Sequence, residues 1–317
     1  MTMPRPALDP ELASKLSALP LGVDLTPEIL AQMRQYAVSA ETYIAGRALE
    51  RHDFAVTSAD GADLPISVFK PRTAVAGAPC IYWLHGGGMV MGDRFANLDI
   101  PLDWLERFGA VVVTIDYRLA PEVSGATLVE DCYQGLCWTA AQALELGIDP
   151  QRIIVAGASA GGGLAAGMVQ MARDRHGPAI AVQILICPML DHRNVTVSSQ
   201  QYAGDPGVWT REKNAFAWRA VLGNHPTEKV SSYISAAMAE DLSGLPPTYI
   251  DAGSAELFRD EDVAYASSIW AAGGQAELHV WAGGFHGFDA MFPDARVSAA
   301  ARATRTGWLG RTLAALN

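Results

Sequence analysis

The chain has 317 residues, 50% of them hydrophobic and 18% charged, with 34 acidic against 23 basic side chains and a formal net charge of −11. That much apolar material can bury one large α/β core and excludes a disordered chain, while the acidic excess repels a phosphate backbone and so excludes nucleic acid as a partner. No apolar run reaches membrane-spanning length, and Met1–Pro10 carries three prolines where a secretory signal needs a continuous apolar stretch. The expectation is a cytoplasmic protein with no membrane insertion.

In chain order, Asp9–Ala45 has amphipathic helical spacing. From about Arg51, short β-rich runs alternate with longer helical patterns, as in a mostly parallel sheet covered on both faces. Strands are predicted at His52–Thr57, Leu64–Lys70, Cys80–Leu84, Val111–Asp116, Arg152–Ala156, Ile180–Ile186, Thr248–Ile250 and Glu277–Trp281. Asp60-Gly61 makes the first two a hairpin. Helices are predicted at Leu98–Arg107, Val129–Leu146, Gly162–Arg173, Val263–Ala272 and Ala299–Leu316.

Asp9–Ala45 and Leu190–Asp241 break the alternation and read as additions that form a lid over a site at the strand ends. The second holds a helix that Thr210 caps and Gly223 ends, and the aromatics Tyr202, Trp209, Phe216, Trp218 and Tyr233. Tyr202, Trp209 and Phe216 are the expected substrate contacts, the competing role being to pack the insertion on the core. Cys80, Cys132, Cys137 and Cys187 show no C-x-x-C spacing and read as reduced thiols with no metal or disulfide role.

Gly157-Ala158-Ser159-Ala160-Gly161 fits G-x-S-x-G between an apolar run and a Gly/Ala-rich helix. The bare pattern arises by chance about 0.15 times in a chain of this composition, so its strand–turn–helix setting carries much of the signal. Ser159 is the candidate nucleophile. At a helix N-terminus, the amide of Ala160 points to where negative charge develops. His85-Gly86-Gly87-Gly88 follows the third strand, and the unshielded amides of Gly86 and Gly87 complete a candidate oxyanion hole. The histidines after Ser159 are His176, His192, His225, His279 and His286. His279 lies inside the last strand, whereas His286 lies in a glycine-rich loop past its end and is the candidate base. Asp251, Glu256, Asp260, Glu261 and Asp262 crowd the region of the orienting acid, and position alone leaves Asp251 and Glu256 level.

Together these residues resemble the bacterial hormone-sensitive-lipase-like esterases, esterase family IV of the α/β-hydrolase superfamily. His85-Gly-Gly-Gly88 matches that family's oxyanion motif, and Asp116-Tyr-Arg-Leu-Ala-Pro-Glu122 matches its D-Y-R-L-A-P-E segment. The resemblance implies an eight-stranded, mostly parallel sheet with a helical cap built from 1–45 and 190–241 on a core of 46–189 and 242–317. It also implies that Asp116, Arg118 and Glu122 brace the oxyanion loop. Glu256-Leu-Phe-Arg-Asp-Glu261 looks like the family's D-P-L-R-D-E, which gives Glu256 the role of the acid, with glutamate in place of the usual aspartate. Ala158 stands where the family usually has Asp or Thr. The implied activity is hydrolysis of short- to medium-chain carboxylic esters with no cofactor and no metal; homodimers occur in the family. Amide or carbamate hydrolysis would use the same residues. A non-catalytic receptor of the gibberellin-binding kind lacks the histidine, and His286 argues against that reading.

Overall fold

The computed structural model describes residues 3–73, 75–224 and 229–316; His225 lies outside them. One sheet organises the chain: β1 (Leu49–Thr57), β2 (Asp63–Pro71), β3 (Ala78–Leu84), β4 (Val111–Ile115), β5 (Ile148–Ala158), β6 (Val182–Ile186), β7 (Thr248–Gly253) and β8 (Ala276–Trp281). Their order is β1-β2-β4-β3-β5-β6-β7-β8; β2 runs antiparallel to both its neighbours and every other adjacent pair is parallel. The expected eight-stranded, mostly parallel α/β architecture is the observed one.

The helices are α1 (Pro10–Leu16), α2 (Pro27–Met33), α3 (Ala40–Ile44), α4 (Asp99–Phe108), α5 (Ala126–Ala141), α6 (Ala143–Leu146), α7 (Ala160–Asp174), α8 (Val197–Gln201), α9 (Arg211–Leu222), α10 (Arg259–Ala271), α11 (Phe288–Met291) and α12 (Arg296–Ala315). The helix predicted over Val129–Leu146 is two, because the chain leaves helical geometry at Gln142. None of the described helices is long and apolar enough to cross a membrane.

Strand alternation divides the core. On β3, Cys80, Tyr82 and Leu84 face a cluster shared with α5, α7 and α10, while Ile81 and Trp83 face one shared with α4 and α12. All residues of β3, β4, β6 and β7 are buried, at roughly 1.5–3 kcal/mol for each large apolar side chain. This two-sided burial fixes the register and leaves the strand C-terminal edge to carry chemistry.

The N-terminal residues and the 190–241 segment meet above that edge. Asp9 caps α1 and Thr26 caps α2, each helix opening on proline. Thr210 caps α9 through the amide of Lys213, and Gly223, at φ 54°, ends it. Thr210 Oγ1 also donates to the carbonyl of Val23 at 2.5 Å, and Gly207 N–H to that of Gly22 at 3.3 Å.

Candidate active site

The turn after β5 is shaped by lack of space. A Cβ on Gly157 would strike the backbone of Gly161, and one on Gly161 the carbonyl oxygens of Leu84 and His85. Ser159 sits at φ 56°, ψ −120°, a strained conformation for a non-glycine residue. It is held there from both sides: its N–H donates to Ile186 O at 2.7 Å, and its carbonyl accepts from Gly163 and Met189. The side chain therefore stands clear of the sheet at the N-terminus of α7, where helix partial charge favours an anion.

Ser159 Oγ lies 2.9 Å from His286 Nε2, and His286 Nδ1 lies 2.6 Å from Glu256 Oε2. The other Glu256 oxygen accepts from Gly253 N–H at 2.6 Å, so the fully buried carboxylate has a partner on each side. His286 reaches the site from the loop past β8, with the ring of Phe258 edge-on at 5.0 Å. Asp251, the other carboxylate weighed as the acid, is engaged elsewhere. Its Oδ2 accepts from Arg305 at 2.8 Å, and Arg305, also fully buried, holds Asp289 at 3.1 Å. The structure thus brings Ser159, His286 and Glu256 into one chain of contacts and leaves Asp251 in a separate ion cluster. His279 is in β8, its Nε2 3.0 Å from Glu277.

Gly86 packs beside Ser159: a Cβ there would lie 3.4 Å from the serine Cβ. Gly87, at φ 112°, turns the chain so tightly that a Cβ would strike the carbonyl of Met91. Among the described residues, the amides of Gly86, Gly87 and Ala160 donate to no protein acceptor. The loop is clamped by His85, whose ring stacks on Tyr117 at 4.2 Å and whose Nδ1 lies 2.8 Å from Gly86 O. Burial lowers the basicity of His85, which favours the neutral ring. Asp116 pairs with Arg94 of the same loop. Glu122 holds Arg34 at 2.6 Å, and Arg34 in turn donates to Val90 O at 2.6 Å and to Ala120 O at 2.7 Å. Arg118 departs from expectation: it is taken up by Asp131 on α5 and Asp60 of the β1–β2 turn, so it braces the strand edge rather than the oxyanion loop.

A cavity of about 240 Å³ opens on Ser159 and is lined largely by apolar side chains, among them Leu25, Met33, Ile100, Val208, Trp209 and Met291. A second, of about 270 Å³, lies between the N-terminal residues and His286, with Tyr202 and Phe285 in its wall. Val208, Trp209 and His286 belong to both, so Trp209 stands in the partition. Phe216 lines neither. Half-buried on α9, it packs toward the hydrophobic core, while Ala217, about 100° further round the helix, is the residue near Gly88.

The remaining titratable side chains of the first cavity, Cys187, Lys213 and Asp289, were not among the predicted site residues, Cys187 having been read as a reduced thiol. Cys187 follows β6 and was findable by the rule that strand C-terminal ends carry sites. Lys213 is four residues from Trp209, and its half-buried Nζ donates to Gly207 O at 2.6 Å, with burial lowering its pKa. Only the fold brings Asp289 into the cavity wall beside them.

A family model described as alpha/beta hydrolase fold matches residues 81–290. The chain is 33% identical over 324 residues to the carboxylesterase NlhH of Mycobacterium tuberculosis, with 99% of this chain and 97% of that one covered. Among solved structures, the bacterial heroin esterase matches with a TM-score of 0.90 at 35% identity, covering 97% of this chain and 98% of its own. Esterase LipW from Mycobacterium marinum matches with a TM-score of 0.87 at 30% identity, with 98% of each chain covered. The chain belongs to the α/β-hydrolase-fold family and, within it, to the hormone-sensitive-lipase-like carboxylesterases.

Proposed function

We propose that the protein hydrolyses short- to medium-chain carboxylic esters through an acyl-enzyme on Ser159. The carrying observation is the 2.9 Å and 2.6 Å contact chain from Ser159 through His286 to Glu256. His286 takes the proton of Ser159 as Oγ attacks the ester carbonyl, and returns it to the leaving alkoxide. Glu256 orients the imidazole and stabilises its cation. The amides of Gly86, Gly87 and Ala160 receive the oxyanion, each donor being worth about 3–4 kcal/mol in the transition state. Water then repeats the attack on the acyl-enzyme with His286 as base.

The N-terminal residues and the 190–241 segment act as one cap. Its support is the set of contacts that join them, Thr210 to Val23 and Gly207 to Gly22, above the Ser159 cavity. Trp209 and Tyr202 take the ester's arms, whereas the position of Phe216 suits packing. A cavity of about 240 Å³ falls below the roughly 300–1,000 Å³ of drug-sized ligand sites, which favours small esters.

The test is covalent labelling with an organophosphate, with peptide mapping of the adduct and turnover of a short activated ester. The adduct maps to Ser159, and Ser159→Ala loses at least about 10⁴-fold in kcat with the fold intact. Substantial turnover by a folded Ser159→Ala protein would overturn the reading.

A further inference from the structure

Cys187 plays no part in the reaction just described, yet its side chain shares the catalytic cavity with His286. The Cys187 sulfur, a Glu256 oxygen and a His286 nitrogen all lie within 4.8 Å of one another, and all three residues are buried. The backbone fixes the cysteine there: its N–H donates to Asp251 O at 2.6 Å, and its φ of 38° turns the chain out of β6.

We propose that Cys187, His286 and Glu256 form an inhibitory site for a thiophilic divalent cation such as Zn²⁺ or Cd²⁺. This rests on the catalytic reading of His286 and Glu256. A thiolate, an imidazole and a carboxylate are the donor set that such d¹⁰ cations take in tetrahedral coordination, with the fourth position left to water. Bond lengths of about 2.0–2.3 Å put ligand atoms of a tetrahedral site roughly 3.3–3.7 Å apart. A cation at this cluster therefore opens the 2.6 Å His286–Glu256 contact, while the sulfur, at most 4.8 Å from the other two ligand atoms, has little distance to cover. The fourth position is filled from the cavity side, where both Cys187 and His286 are in the wall.

The surroundings suit a cation. Burial and the nearby carboxylates of Glu256, Asp289, Asp262 and Asp251 hold the Cys187 thiol far above its ordinary pKa, so at neutral pH it carries a proton. A bound cation displaces the Sγ proton, which is released to solvent as a metal–sulfur bond replaces the S–H bond; the neutral imidazole binds through the lone pair of one ring nitrogen and keeps its single proton on the other. No electron is transferred. While the cation is bound, His286 cannot accept the Ser159 proton, so hydrolysis stops. A chelator reverses the block.

Titration of the full-length protein with CdCl₂ tests this through two readouts: turnover of a short activated ester, and the ultraviolet charge-transfer band of a cadmium–thiolate bond. The band needs no turnover, so it reports on the site even if the protein proves not to be an esterase. The expected result is a stoichiometric band and loss of turnover over the same micromolar range, both reversed by EDTA. In Cys187→Ala the band vanishes and the half-inhibitory concentration rises at least about 100-fold, since losing a ligand costs more than losing an outer partner. Cys187→Ser, which keeps the volume and a hard oxygen, falls between. Inhibition of Cys187→Ala at the wild-type concentration, or no wild-type band at millimolar CdCl₂, overturns the proposal.

Discussion

The turn after β5 and the segment after β7 solve the same problem by different physics. Both pass from a buried strand through a tight loop into a helix and deliver one functional side chain at the same sheet edge. At the β5–α7 turn, backbone presses on backbone. Gly157, Gly161 and Gly163 each have no room for a Cβ, and Ser159 is forced into a left-handed conformation. The β7–α10 segment is held by buried carboxylates instead. Glu256 takes Gly253 N–H, Glu261 takes the amides of Leu190 and Asp191, and Asp251 takes Arg305. A site positioned by exclusion tolerates almost no added atom, whereas one positioned by charge tolerates change of shape better than loss of a partner.

The largest expected effect lies in the second region. Glu256→Gln keeps the volume but removes the charge facing His286, and kcat for a short ester should fall about 10⁴-fold. Asp251→Asn leaves Arg305 with Asp289 as its remaining carboxylate and costs stability, up to roughly 3–5 kcal/mol for a broken buried pair, while turnover per folded molecule changes little. Comparing kcat at equal folded fraction decides between them, and the reverse ranking would return the acid's role to Asp251.

The next effect tests exclusion itself. Gly161→Ala places a methyl against the carbonyls of Leu84 and His85, and overpacking of this kind costs about 1–3 kcal/mol or more and displaces Ser159. In the cap, the nearest neighbour of an added Cβ at Gly207 is Thr210 Cγ2, at an ordinary 3.4 Å, so Gly207→Ala should stay within about 0.5 kcal/mol of wild type. Urea midpoints and ester turnover for the pair measure the contrast; equal costs would remove it. A smaller change is expected where the cap meets the site. Trp209→Ala joins the two cavities and should shift preference toward longer acyl or alcohol groups by about tenfold relative to acetate. Proportional losses on every ester would mean that the indole only supports structure.

Strand positions were legible because two-sided burial writes continuous apolar runs, and the predicted boundaries fall within a few residues of those observed, β5 differing most by starting at Ile148. Ser159 and His286 were legible as candidates because motif and chain order constrain them. Position alone did not separate Asp251 from Glu256, and only the motif resemblance favoured Glu256, because what physically separates them is Arg305, 54 residues from Asp251 and on the last helix. Phe216 was misplaced for a related reason: an aromatic in an insertion is visible in sequence, but the face of α9 that turns toward the cavity is set by how the cap docks. Cys187 was set aside as a buried thiol, and its neighbours became visible only once β6, β7 and β8 lay side by side.

The last expected effect touches stability alone and separates Glu256 from a carboxylate six residues further on. Asp262 is fully buried at the start of α10, and among the described residues neither of its carboxylate oxygens has a hydrogen-bond partner. Burial, with Glu256 and Glu261 nearby, raises its pKa well above the ordinary 3.8. The folded chain therefore holds a proton here that the unfolded chain releases above the ordinary carboxyl range. Stability from this group is fully present below that range and declines as pH rises toward the folded pKa, because the folded state binds more protons than the unfolded state throughout the window. Asparagine has the same shape and no proton to lose. Asp262→Asn should match wild type near pH 4 and gain on it steadily toward pH 8, with kcat unchanged. Urea midpoints at both pH values measure the difference. A gap that stays constant with pH would show that Asp262 titrates alike in the folded and unfolded chain, and would overturn the protonated reading.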